Sequence, residues 1–167
     1  MATDLQDLIA RRRATGADLY DEIWDGEYHM APAAHPFHGY LDDQVAGVLH
    51  PLAQRSGLVG TGPFNLGTSS NYRVPDHGFH RALPTEMWVP TAALVVEVLS
   101  PGDESWKKLG FYAAHDVDEI LVVDGEQERL TWLARRGVHY DEVTSSTVVG
   151  VPVAEVAAAV TWPRRLA

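Results

Sequence analysis

Three features of this sequence predict a mixed α/β (α+β) fold. The run Leu94-Val95-Val96-Glu97-Val98-Leu99 is short, apolar and β-branched, which marks a strand buried on both faces. Apolar residues at 37, 41, 45, 48, 49 and 52 repeat at helical intervals ahead of it. A second apolar strand, Glu119 to Asp124, follows it after a helical segment, and that order predicts a right-handed parallel crossover with helices flanking a sheet. A single domain accounts for all 167 residues. It divides into an N-terminal helix within 1–18, a core over 19–135, and a C-terminal strand and helix within 136–167.

Each element has a local cause. Thr3 or Asp4 can cap a first helix whose apolar positions are Leu5, Leu8 and Ile9, and Thr15-Gly16 stops it near Ala14. Asp25-Gly26 between Ile23-Trp24 and Tyr28 is a two-residue turn signal, so 21–30 reads as a hairpin. Ala31 to Pro36 interrupts regular structure. The helix from Phe37 to about Ser56 meets Pro51, which should kink or end it late, and Gly57 serves as its C-cap. Leu58 to Gly67 and Ser70 to His80 read as two strands joined at Thr68-Ser69-Ser70, and 81–90 as a loop bounded by prolines. After the Glu97 strand, Ser100 as N-cap, Pro101 in the first turn and Asp103-Glu104 behind it predict a helix running to about His115. Three strands follow, 119–124, 129–135 and 138–143, turned at Gly125 and Gly137. An alanine-rich helix over 153–160 ends at Trp162-Pro163.

Composition narrows the function. No apolar run approaches the roughly 18 residues of a membrane span, and the first residues lack the apolar stretch of a signal peptide. With no cysteine there is neither a disulfide framework nor a thiolate zinc site, and a cytoplasmic location is expected. The net charge of −10 argues against a standalone nucleic-acid grip through phosphates. It leaves room for a nuclease, because acidic metal sites add negative charge and a dimer gathers basic groups into one cleft.

Glu97 carries the chemistry. A carboxylate among apolar residues costs several kcal/mol unless a cation, a metal or hydrogen bonds meet it. Asp76 lies upstream in Val74-Pro75-Asp76, and Lys107 and Lys108 lie downstream. Two acids and a lysine are the parts of a metal-dependent phosphodiester-cleaving site. The plainer alternative is a structural ion pair of Glu97 with Lys108 or Arg73. Taken singly, Asp76 is a turn residue after proline, Glu27 a hairpin residue, and the lysines a solvated helix face.

Other motifs carry less. His29, His35 and His38 cluster in sequence and His77 to His80 has HxxH spacing, but i and i+3 on a strand face opposite ways, which disfavours zinc. His38 either faces the site or caps its helix. Ser100 lacks a nucleophile elbow. Gly57 to Gly62 lacks the lysine and helix of a phosphate loop.

Trp24-Asp25-Gly26-Glu27, Met30-Ala31-Pro32, Val74-Pro75-Asp76, Val96-Glu97-Val98-Leu99-Ser100-Pro101, Lys108-Leu109-Gly110-Phe111-Tyr112 and Val117 to Asp124 occur in this order. Together they resemble the bacterial putative restriction-endonuclease family of the PD-(D/E)XK nuclease superfamily, over roughly residues 20 to 135. The resemblance implies a restriction-endonuclease-like mixed β-sheet flanked by helices. It also implies Mg2+, with Mn2+ as a substitute, held by Asp76, Glu97 and the carbonyl of Val98. The usual lysine position after the strand acid is occupied by Leu99, and the family pattern moves the lysine to Lys108, one helical turn before Tyr112. That places Glu104, Lys108 and Tyr112 on one stripe. Helix geometry alone does not separate Lys108 from Lys107. Glu27 is the further acid implied by the family, with Glu22 second.

The expected activity is Mg-dependent endonucleolytic hydrolysis of phosphodiester bonds in nucleic acid, DNA first. The alternative is a non-catalytic interaction or regulatory module on the same fold. A homodimer through the edge left by the last three strands is expected with either.

Overall fold

The apolar run around Glu97 becomes a strand, Leu94–Val98, in which every residue is buried. A computed structural model describes residues 5–31, 35–102 and 104–163, so the expected roles of Thr3, Asp4 and Asp103 lie outside the described residues.

Helix α1 (Leu5–Thr15) buries only Ile9. It is fastened by Arg12, whose guanidinium donates to both carboxylate oxygens of Asp21 at 2.6 Å. Strands β1 (Glu22–Trp24) and β2 (Glu27–His29) form the expected hairpin. Asp25 and Gly26 both have positive φ, 50° and 93°, as a tight turn matched to strand twist requires. Helix α2 (Pro36–Arg55) is capped by the His35 ring, which accepts from the Phe37 N–H, and it continues through Pro51.

The stretch 58–80 departs from expectation. The two long strands are four short ones: β3 (Val59–Thr61), β4 (Asn65–Thr68), β5 (Asn71–Arg73) and β6 (His77–His80). Each break carries a proline, Pro63 or Pro75, which has no N–H for a ladder and fixes its own φ. The breaks send β4 and β5 to one sheet and β3 and β6 to another. The presumed loop 81–90 contains β7 (Trp88–Val89), paired parallel to β4.

With β8 (Leu94–Val98), β9 (Glu119–Asp124), β10 (Arg129–Arg136) and β11 (His139–Val143), the main sheet has the order β11-β10-β9-β8-β6-β3, and the second sheet β2-β1-β5-β4-β7. The pair β8–β9 is parallel, with Leu94 opposite Glu119 and Glu97 opposite Val122. The connection between them differs from the expected helix. Gly102, at φ 77°, makes a turn after Pro101, then a 3-10 segment covers Ser105–Lys108, and helix α3 spans only Leu109–Ala114. Ser100 is therefore not its cap, and Glu104 stands outside the helix. The tail adds a small β12 (Ser145–Ser146) and β13 (Val151–Pro152) ahead of α4 (Val153–Ala159).

Two cores sandwich the main sheet. Leu94, Val96 and Val98 of β8 pack with α2 and α4 on one face, and Val95 packs with Leu66 and Tyr112 on the other. Strand alternation puts Glu97 on the Val95 face, under α3 and against the second sheet. Among the described residues no helix is long and apolar enough to cross a membrane.

Candidate active site

Glu97 is 3% exposed and meets a cation. Lys108, at the end of the 3-10 segment, donates to its Oε1 at 3.1 Å and Oε2 at 3.4 Å. The Tyr112 hydroxyl also donates to Oε1, and Ser105 Oγ to Oε2 at 3.4 Å. The stripe reading is half right: Lys108 and Tyr112 converge on Glu97, while Glu104 pairs with Lys107 and lies 3.5 Å from His29. Lys107 thus belongs to the surface, and Arg73 goes elsewhere. Its buried guanidinium lies 4.0 Å from the Phe111 ring centre and 4.6 Å from that of Trp24, and donates to the Ile23 carbonyl at 2.8 Å.

A second acid shares the lysine. Glu22, the less favoured hairpin residue, lies with Oε1 2.9 Å from Lys108 Nζ. The Val74 N–H donates to it at 2.7 Å and Trp24 Nε1 at 2.5 Å, so β1 and the start of the Pro75 bend hold it in place. Glu27, the first choice, is not brought to this cluster: its side chain is 81% exposed and lies near His29. Glu22, opposite His29 at the end of the hairpin away from the turn, reaches Lys108, whereas Glu27, opposite Trp24 beside the turn, is exposed. No local pattern singles out Glu22, because its place depends on the pairing of β1 with β5.

Asp76 sits in the bend between β5 and β6, beside the end of β8. Its N–H donates to the Val96 carbonyl at 3.1 Å, and its Oδ2 accepts from the Val98 N–H at 2.7 Å. His38, in the first turn of α2, places Nε2 3.4 Å from Asp76 Oδ1. Asp76 raises the His38 pKa through this contact, against the opposing effect of burial. The remaining histidines have separate neighbours: His77 bonds Asp42 at 2.6 Å and His80 bonds Thr61 at 3.0 Å.

The electrostatics are those of a site short of positive charge. Burial pushes the Glu97 pKa up to about 7; Lys108 works against that, while Asp76 and Glu22 add to it. Burial works to lower the Lys108 pKa, but Glu97 and Glu22 outweigh it and hold the amine protonated. Two carboxylates, Glu22 and Glu97, share one lysine, and Asp76 adds a third negative charge near Glu97. Among the described residues no group of three or more metal-ligating side chains is placed to hold a metal unaided. The donor set, two strand-end carboxylates with a main-chain carbonyl beside them, suits a hard cation that completes its shell with water and phosphate oxygen.

A family model described as Uma2, putative restriction endonuclease, matches residues 7–160, most of the chain. No curated protein matches it. A crystal structure described as a putative nuclease belonging to DUF820 from Anabaena variabilis is similar in fold, with a TM-score of 0.66 at 12% identity. The match covers 83% of this chain and 90% of that one.

Proposed function

The chain belongs to the Uma2 putative restriction endonuclease family, and we propose that it is a Mg2+-dependent endonuclease cutting phosphodiester bonds in DNA. The observation that carries this reading is the convergence of Glu22, Asp76 and Glu97, from three separate segments, on the end of β8 beside Lys108. Asp76, Glu97 and the Val98 carbonyl would hold the cation, with Mn2+ as a substitute. When bound, a divalent ion lowers the pKa of its water and stabilises charge on a phosphate.

The chain's own groups do the rest. Lys108 presents a fixed positive charge to the water that attacks and to the oxygens around phosphorus. Glu22 and Glu97 hold the amine there, and the Tyr112 hydroxyl fixes Glu97 in turn. His38, kept protonated more readily by Asp76, supplies a proton donor at the rim for the departing oxygen.

A plasmid or oligonucleotide panel with Mg2+ tests this, using Asp76→Ala, Glu97→Ala and Lys108→Ala as controls. Cleavage that survives all three substitutions removes the assignment. Asp76 and Glu97 already accept protein hydrogen bonds, which is the observation favouring a non-catalytic interaction module. Calorimetry separates the two, since silence at millimolar Mg2+ and Mn2+ supports the module.

Homodimer formation belongs to the same proposal. Strand β11 is an open edge of the main sheet, and its Tyr140 and Val143 are only partly covered. A monomeric mass by light scattering would remove that part.

A further inference from the structure

We propose that a polar pocket at the far end of the β8–β9 pair binds a phosphate-bearing small molecule of about nucleotide size. The pocket has a volume of about 540 Å3, within the range of about 300–1,000 Å3 for small-molecule sites. It is separate from the Glu97 cluster. It opens beside Asp118 and Glu119, where β9 begins, whereas Glu97 stands opposite Val122 further along.

Three of the protein's few basic side chains meet there: Arg81 from the loop after β6, and Arg135 and Arg136 from the end of β10. In a chain of net charge −10 this is a marked local concentration. Guanidiniums present forked N–H donors that suit phosphate oxygens. Their present partners leave capacity. Asp118 accepts from Arg81 at 2.7 Å and lies 3.7 Å from Arg135, so one carboxylate stands between two guanidiniums. Asp116, which lies 3.0 Å from Arg135, and Asp141, which lies 3.6 Å from Arg136, are both exposed.

Arg135 supplies the second, independent observation. Its side chain is 26% exposed, yet its Nε is buried and has no hydrogen-bond partner among the described residues. That N–H lies beneath the surface, so a phosphate would meet the terminal nitrogens of the same guanidinium, whose partners are the exposed Asp116 and the shared Asp118. Glu119 does not compete for these cations, because neutral donors surround it. The size and polarity of the lining favour a phosphorylated small molecule over an apolar one. Phosphate chemistry also reaches such a site from a nucleic-acid strand, so both sources are put to the test.

Isothermal titration of the full chain with inorganic phosphate, a nucleoside monophosphate and a short duplex decides the matter. The expected result is saturable binding of phosphate and, more tightly, of the nucleotide. Arg135→Gln should weaken it at least about tenfold, and the rim substitution Arg136→Gln, which leaves the buried residues in place, by less. Asp118→Asn, which frees two guanidiniums, should tighten it, an outcome that a purely structural arginine cluster would not give. Silence with phosphate and nucleotide, binding of the duplex alone, or affinities indifferent to all three substitutions would overturn the proposal. Cleavage plays no part in this readout, so the pocket and the nuclease reading stand or fall separately.

Discussion

Glu97 and Glu119 are both buried glutamates on adjacent parallel strands, yet their surroundings differ in kind. Glu119 is met by neutral donors: Trp132 Nε1 at 2.8 Å, the Ser146 hydroxyl, the Thr147 N–H at 2.8 Å and its hydroxyl at 2.9 Å, and the Val148 N–H at 3.3 Å. They tie the segment between β12 and β13 to the sheet, and the carboxylate is fully used in doing so. Glu97 has one cation, two hydroxyls and two neighbouring acids that oppose its charge. Burial alone therefore does not mark a functional acid. The mark is an ionisable group whose surroundings leave it wanting a positive charge.

Substitutions can break this contrast. Glu119→Ala should cost about 4 kcal/mol in urea unfolding, because several buried donors lose their acceptor at about 1–3 kcal/mol each. Whatever remains folded should keep its cleavage rate. A folded Glu119→Ala protein without activity would erase the distinction between the two acids.

Lys108→Met comes next. Removing one member of a buried ion cluster costs about 3 kcal/mol, and here cleavage should also fall by about two to three orders of magnitude. Because two acids then lack their cation, the destabilisation should be larger at pH 8 than at pH 5. Equal losses at both pH values would show that Lys108 does not oppose the rise in the Glu97 pKa.

Glu97→Gln sharpens the comparison through pH. In metal-free buffer the folded protein keeps the Glu97 proton up to about pH 7, while the unfolded chain loses it near the usual carboxylate value. The native state thus holds more protons in that window, and stability falls as pH rises through it and levels off above. The glutamine variant should lack that slope, with a difference of at most a few kcal/mol in chemical denaturation. A parallel pair of curves would contradict the raised value.

His38→Ala is the smallest effect. Its pKa is raised by Asp76, so its stabilising contribution is complete below the ordinary histidine range and disappears as pH rises through the folded value. We expect less than about 1 kcal/mol at pH 6 and nothing measurable at pH 8.5.

The sequence was most legible where one physical signal acted alone. The β-branched run 94–98, the 3.6-residue period of α2 and the Asp25-Gly26 turn each appear in the fold with small changes of boundary. Legibility failed where signals competed. Pro63 and Pro75 overrode apolar stretches that read as continuous strands, and Gly102 displaced a helix start that Ser100 and Pro101 had advertised. The juxtaposition of Asp76, Glu97 and Lys108 at the end of β8 is legible because each lies close in sequence to that strand. Glu22 was ranked second because its place depends on pairing between β1 and β5, a contact that no local pattern encodes. Glu119 was read only as the first residue of a strand, since its donors lie on β10 and in the tail.

The polar cluster draws on β1, α2, the bend before β6, β8 and the 3-10 segment, with neither sheet containing all of it. A ribosome delivers Glu22 early and Lys108 much later, so a growing chain holds acids without their amine for most of its synthesis. A cluster assembled this way stays incomplete in any fragment until translation has passed its last contributing residue.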